Sequence, residues 1–297
     1  MMTIEMLKEE SNFYSRLLSS LVLWGVILIA LLYSLKILEM IIFMCFGLIA
    51  QEEFYRMQQA KGHKIFRLAG FTAAFCLYLG IWFFENVHTA GYSFYPFFEQ
   101  ILYFGLLTIL FGQVIWNWDK LTNPIASIAL TFLGFFYVAF LFSFLERISF
   151  CKGLPFNADA ALFYLIAVTK LSDTGAFLVG RNFGSHLLIP HVSPKKTWEG
   201  LGGGIFFSFL AGILLPIGFS KFFVGFPLID SILLSVVIGF IGAVGDLAKS
   251  VVKRDAHVKD SGHVIPGIGG LLDLIDSLLL SGPFFYFYCL FRYHIYP

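Results

Sequence analysis

The chain has 297 residues, of which 58% are apolar and only 13% charged, and its formal net charge is +1. A water-soluble chain carries charge on roughly a quarter of its residues, so a soluble globular fold is excluded and the outer surface must face lipid. A net charge this close to zero says nothing about partners, so the distribution of charge along the chain has to decide; no nucleic-acid partner is expected.

From the amino terminus, MMTIEMLKEESNFYSR carries Glu5, Glu9 and Glu10 with no small-residue cleavage site after the following apolar run, so it does not read as a removable signal peptide. Apolar stretches then recur at the length of about 20 residues that a bilayer core of about 30 Å demands. They fall at 17–34, 37–54, 65–84, 97–116, 124–145, 159–179, 201–219, 228–248 and 272–291. The pattern predicts an all-α polytopic integral membrane protein of about nine transmembrane helices; the first two stretches also fit a hairpin of short helices. Spans one to five, in residues 1–156, read as a scaffold, and spans six to nine, in 157–297, hold the chemistry. Cys45, Cys76 and Cys289 fall inside spans and Cys151 in a connection, without the paired spacing of a disulfide frame or zinc site.

Basic residues orient the chain. The amino terminus and the even-numbered connections hold Lys8, Arg16, Arg56, Lys61, Lys64, Arg67, Lys120, Arg181, Lys195, Lys196, Lys249, Lys253, Arg254 and Lys259. The opposite side holds Lys36, Arg147, Lys152, Lys221 and Arg292. This bias predicts a cytosolic amino terminus and places the connections after spans six and eight in the cytosol, within reach of a nucleotide.

Those two connections carry the polar motifs. Gly245 to Leu279 reads GDLAKSVVKRDAHVKDSGHVIPGIGGLLDLIDSLL. Asp246 closes one apolar helix; Asp273 and Asp276 open the next, at a spacing that projects both carboxylates from one face. Charge at membrane depth is costly, so a cation between them is expected. Magnesium suits such hard oxygen ligands. Helix capping by Asp273 and Asp276 is the alternative. Lys253, Arg254 and Lys259, with Asp260, fit the neutralisation of a polyphosphate, although a Lys/Arg run beside a span also serves merely to fix topology. Upstream, HVSPKKTWEG places Ser193, Lys195, Lys196 and Thr197 as a second phosphate-holding loop. Gly200, Gly202, Gly203 and Gly204 fit close helix packing better than a phosphate cradle. Lys170 and Asp173 fit an intrahelical ion pair, or else Asp173 reaches the active cleft.

These residues resemble the signature of the bacterial phosphatidate cytidylyltransferases, or CDP-diacylglycerol synthases. Ser250, Lys253, Arg254, Lys259, Asp260, Pro266, Gly267, Gly269, Gly270, Asp273 and Asp276 match its core, after a Gly-Asp-Leu at Gly245 to Leu247. Asp173 and Ala176, then Ser193 to Thr197, match its upstream elements. The motifs cover roughly residues 160 to 285; the amino-terminal half matches only as a pattern of spans. Ile268 stands where the family has His and Leu274 where it has Arg, while Ser185, Leu187 and His191 replace common basic residues.

The resemblance implies attack of a phosphatidic acid phosphate on the α-phosphorus of CTP, releasing pyrophosphate, at a cytosolic site in the inner cell membrane. It implies Asp246, Asp273 and Asp276 as ligands of Mg2+ and of any second cation, with Lys253 also catalytic. Asp173, Ser193, Lys195, Lys196, Thr197, Ser250, Arg254, Lys259, Asp260, Gly269 and Gly270 are the implied substrate-binding residues, and a homodimer is compatible with it. The competing readings are a CTP-dependent polyprenol or lipid kinase and a cation-coupled transporter; the acidic motifs show no inverted repeat between the halves, which counts against the transporter.

Overall fold

The computed structural model of the chain describes residues 25–86, 95–258, 261–262, 264 and 269–295. After helical backbone at 25–32 come α1 (Lys36–Ala60), α2 (Arg67–Asn86), α3 (Tyr95–Trp116), α4 (Pro124–Phe150), α5 (Ala158–Phe183), α6 (Trp198–Gly218), α7 (Leu228–Asp255) and α8 (Leu271–Tyr293). A short antiparallel hairpin, β1 (Leu187–Ile189) and β2 (Ser193–Thr197), joins α5 to α6. The chain is therefore an all-α polytopic membrane protein, and where the sequence suggested a loop the described residues form a small hairpin.

Among the described residues, seven helices, α2 to α8, are long and apolar enough to cross a membrane. They coincide with the last seven predicted spans. Predicted span 17–34 lies partly outside the described residues. Span 37–54 lies within α1, whose 25 residues measure about 37 Å at about 1.5 Å per residue. That helix carries Lys36, Glu39, Glu52, Glu53 and Arg56, and it is not one of the seven.

Local chemistry sets several helix starts. Asn123 caps α4 by accepting from the Ala126 amide at 3.2 Å, with Pro124 in the first turn. Asn157 caps α5 through the Ala160 amide at 3.0 Å, and Thr197 caps α6 through the Gly200 amide at 3.1 Å. Over Phe135–Phe140 α4 widens to a π-helix. The Tyr78 hydroxyl on α2 donates to the Ala139 carbonyl within this stretch at 3.0 Å, and the Tyr55 hydroxyl on α1 donates to the Thr131 carbonyl one turn before it at 2.8 Å.

Helices α5 to α8 pack successively, and α8 also packs on α4 and α1. Small residues bring these backbones together. A Cβ at Gly203 would lie 2.4 Å from Val179, and one at Gly204 3.1 Å from the Ser172 carbonyl. Gly200, Gly203 and Gly204 thus serve the α5–α6 contact, as expected, whereas Gly202 faces open space. A Cβ at Gly245 would lie 2.6 Å from the Asp276 carbonyl, and this close approach of α7 to α8 sets Asp246 beside Asp276. The cysteines are free; burial, reinforced by Glu85, pushes the Cys151 thiol up to about 11, which leaves it unreactive at neutral pH.

Candidate active site

At the end of the bundle where α5 and α7 finish and α6 and α8 begin lies a cleft of about 620 Å³. Its walls include Asp173 and Arg181 from α5, Ser193, Lys195, Lys196 and Thr197 from β2, and Asp246 and Lys249 from α7. Asp273 and Asp276 complete its floor from α8. Asp246 stands nine residues before the end of α7, about 14 Å down the helix axis.

The three aspartates converge on one ammonium group. Lys249 Nζ lies 2.9 Å from Asp246 Oδ1 and 3.1 Å from Asp273 Oδ1, and it also contacts Asp276 Oδ2. Two further lysines close the network: Lys196 reaches Asp246 Oδ2 at 2.6 Å, and Lys253 reaches Asp273 Oδ1 at 2.8 Å. The side chain of Asp246 is 31% exposed, whereas that of Asp276 is 6% exposed. Asp276 is therefore enclosed with its lysine, while Asp246 faces the open volume.

A second group lies alongside. Lys170 Nζ contacts Asp173 Oδ2 at 3.0 Å, the Leu274 carbonyl at 2.8 Å and Ser277 Oγ at 3.2 Å, and Ser277 Oγ donates to Asp173 Oδ2 at 3.0 Å. Both readings of Asp173 hold: it pairs within its helix and it lines the cleft.

Other expected residues fall elsewhere. Ser250 Oγ donates to the Asp246 carbonyl at 2.8 Å, and Arg254 Nε donates to the Val192 carbonyl, at the hairpin tip, at 3.1 Å. Neither is among the cleft walls. Gly269, at φ +114°, and Gly270 form the turn that leads into α8. Lys259 and Asp260, with Pro266, Gly267 and Ile268, lie outside the described residues.

Capping of α8 by its own aspartates is not what the structure contains. Gly270 occupies the N-cap, and the amides of Leu271 and Leu272 are bound at 2.8 Å each by Glu53 of α1. The sequence reading missed Glu53, and it treated Lys249 only as a residue that orients the chain. A signal for Lys249 was present, because it stands one helical turn from Asp246 on the same face. Glu53 offered only an acidic residue within an apolar run.

Residues 14–292 match the model of the "Cytidylyltransferase family". The chain belongs to that family. Among its relatives, a phosphatidate cytidylyltransferase of Haemophilus influenzae is 35% identical over 196 residues, covering 62% of this chain and 63% of the relative. A phosphatidate cytidylyltransferase of Bacillus subtilis is 32% identical over 206 residues, covering 65% and 71%. The uncharacterised Escherichia coli protein YnbB is 34% identical over 200 residues, 65% of each chain. The match thus spans just under two thirds of the length of the Haemophilus and Escherichia relatives.

Proposed function

We propose that the chain is a phosphatidate cytidylyltransferase, making CDP-diacylglycerol and pyrophosphate from CTP and phosphatidic acid on the cytosolic side of the inner cell membrane. The observation that carries this reading is the lysine–aspartate network on the floor of a cleft walled by the basic strand β2. Its size, about 620 Å³, is within the usual range of small-molecule sites, roughly 300–1,000 Å³. The names of the Haemophilus and Bacillus relatives agree with it, and the bias of basic residues supports the cytosolic orientation.

Charge balance assigns roles to the side chains. Lys170, Lys196, Lys249 and Lys253 each pair with one or more of Asp173, Asp246, Asp273 and Asp276, so this floor is close to neutral and attracts a triphosphate only weakly. Lys195 and Arg181, on the walls, make no ion pair among the described residues and are free to take phosphate oxygens. Magnesium fits Asp246, whose two oxygens each take one lysine contact, from Lys249 and Lys196, and keep a second lone pair. Asp273 has both oxygens doubly engaged, by Lys249 and Lys253 and by the amide and hydroxyl of Ser261, and would bind the ion only on giving up one of these contacts. When bound with the nucleotide, the ion would neutralise charge and polarise the phosphoryl oxygens. Asp246 would hold it, Asp273 would join on releasing a lysine, and Lys249 would keep the carboxylates from repelling one another.

In the reaction, an oxygen of the phosphatidate phosphate bonds to the α-phosphorus of CTP. The bond from that phosphorus to the bridging oxygen breaks, and its electron pair leaves on pyrophosphate. A phosphate oxygen is already ionised at neutral pH, so no general base is required. Purified protein supplied with CTP, phosphatidic acid and Mg2+ is expected to release pyrophosphate, and chelating the metal is expected to stop it. Release that does not depend on the lipid would contradict the assignment.

A further inference from the structure

The first turn of a helix leaves backbone N–H groups without partners, and burying them unpaired is costly. The helix that carries Asp273 and Asp276 begins at Gly270, which has no side chain to cap it. The cap comes from 217 positions upstream in sequence. Glu53 of α1, 2% exposed, accepts from the Leu271 amide through Oε1 and from the Leu272 amide through Oε2, both at 2.8 Å. Negative charge suits this end of a helix.

The contact continues into the reaction centre. The hydroxyl of Ser261, buried at 6% exposure, lies 3.2 Å from Glu53 Oε2 and 2.8 Å from Asp273 Oδ2. The Ser261 amide also donates to Asp273 Oδ2, at 3.3 Å. The other oxygen of Asp273 is held by Lys249 and Lys253. The loop is shaped for this arrangement, because a Cβ at Gly262 would lie 2.6 Å from Glu53 Oε1 and one at Gly270 2.8 Å from Oε2. Glycine at both positions lets the backbone at Gly262 and at Gly270 lie directly against the Glu53 carboxylate.

We propose that Glu53 is a positioning residue for the reaction centre: it fixes the first turn of α8 and, through Ser261, sets the orientation of the Asp273 carboxylate. The inference rests on the cytidylyltransferase reading, and it gives the amino-terminal half of the chain a part in shaping the reaction centre. Misplacing a reacting group by about 1 Å can cost on the order of a hundredfold in rate, so a small tilt of Asp273 is enough to matter.

The test uses the full-length protein with Glu53→Gln, Ser261→Ala and the double variant, measuring melting temperature, kcat and KM for CTP well below melting. Glu53→Gln is close in shape but loses the charge and one acceptor oxygen; Ser261→Ala leaves the helix cap in place and removes only the hydroxyl link to Asp273. Glu53→Gln is expected to lower kcat about tenfold or more, with KM for CTP within about threefold. Ser261→Ala is expected to lower kcat while melting near the wild-type temperature, and adding Glu53→Gln to it should cost less than in the wild type. A Glu53→Gln protein that melts earlier but turns over normally, or a double variant whose kcat losses simply multiply, would overturn the inference. If Glu53→Gln does not fold, normal turnover by Ser261→Ala overturns it alone. A wild-type protein with no transfer activity would instead overturn the proposed function on which the inference rests.

Discussion

Among the described residues, one lysine–carboxylate cluster gathers around Lys36 and another around Lys249, and of these two it is the second that lines the cleft. At one site Lys36 contacts Asp159, Glu39 at 3.3 Å, and both the carbonyl and hydroxyl oxygens of Ser149 at 2.9 Å. Ser34 completes it with a 2.6 Å bond to Asp159. At the other, Lys249 gathers Asp246, Asp273 and Asp276. The first cluster ties the start of α1 to the end of α4 and the start of α5, and none of its members lines the cleft. Buried charge by itself therefore does not mark a reaction site in this protein. The site is marked by carboxylate oxygens that are held by lysines and still open on a space large enough for a nucleotide.

The two clusters should respond differently to loss of a cation or neutralisation of one anion. Lys249→Met leaves three aspartates without their shared cation, in a place where Lys249 is 8% and Asp276 4% exposed. Breaking a buried pair in this way costs about 3–5 kcal/mol, measurable as a lowered melting temperature. The freed carboxylates should also bind Mn2+ more tightly, which a titration would detect. Unchanged melting would mean that Lys249 does not hold the cluster together.

Asp273→Asn keeps volume and hydrogen-bonding capacity but removes charge. The variant should remain folded and lose on the order of a hundredfold in turnover, because metal assistance of several kcal/mol corresponds to such a factor. Near-normal turnover with an unchanged magnesium requirement would show that the reaction centre lies elsewhere.

In the other cluster Asp159→Asn should cost about 1–2 kcal/mol of stability, less than Lys249→Met because the Lys36 side chain is 29% exposed and water partly compensates it. Turnover per folded molecule should stay at the wild-type rate. A loss of turnover without a loss of stability would join the two clusters functionally and erase the distinction drawn between them.

The smallest effect expected is for Thr197→Ala, which removes the side-chain cap of α6. A lost cap costs about 1 kcal/mol, seen as a slight fall in melting temperature. Because Thr197 also lines the cleft, a fall in turnover far larger than the fall in stability would assign its hydroxyl to substrate as well.

Much of this was legible in the sequence because the membrane makes charge conspicuous. Apolar runs of bilayer length located α2 to α8, and the aspartates stood out because a carboxylate within such a run needs a partner. That Lys249 gathers all three aspartates was not legible beyond its place one turn from Asp246, since a lysine near the end of a span ordinarily serves orientation. Its significance depends on α7 and α8 approaching closely at Gly245, which is a tertiary fact. Glu53 was further out of reach, because its partners are backbone amides of a helix more than two hundred residues away. The short strand at Ser193–Thr197 was read as a loop for a related reason: its pairing with Leu187–Ile189 is only a few residues long, too short to leave a period-two pattern. Arg254 reads as a phosphate ligand from its place in the motif, and the structure adds a bond from its Nε to the Val192 carbonyl of the hairpin, which leaves its terminal nitrogens for other partners.

The phosphorus of the nucleotide that is attacked distinguishes nucleotidyl transfer from phosphoryl transfer. Purified protein should be given CTP labelled at the α-phosphate in one reaction and at the γ-phosphate in another, each with phosphatidic acid and Mg2+, and the lipid phase counted. The account predicts α-label in a CDP-lipid and γ-label in free pyrophosphate. Recovery of γ-label in the lipid, with CDP left in solution, would contradict it and make the protein a lipid kinase.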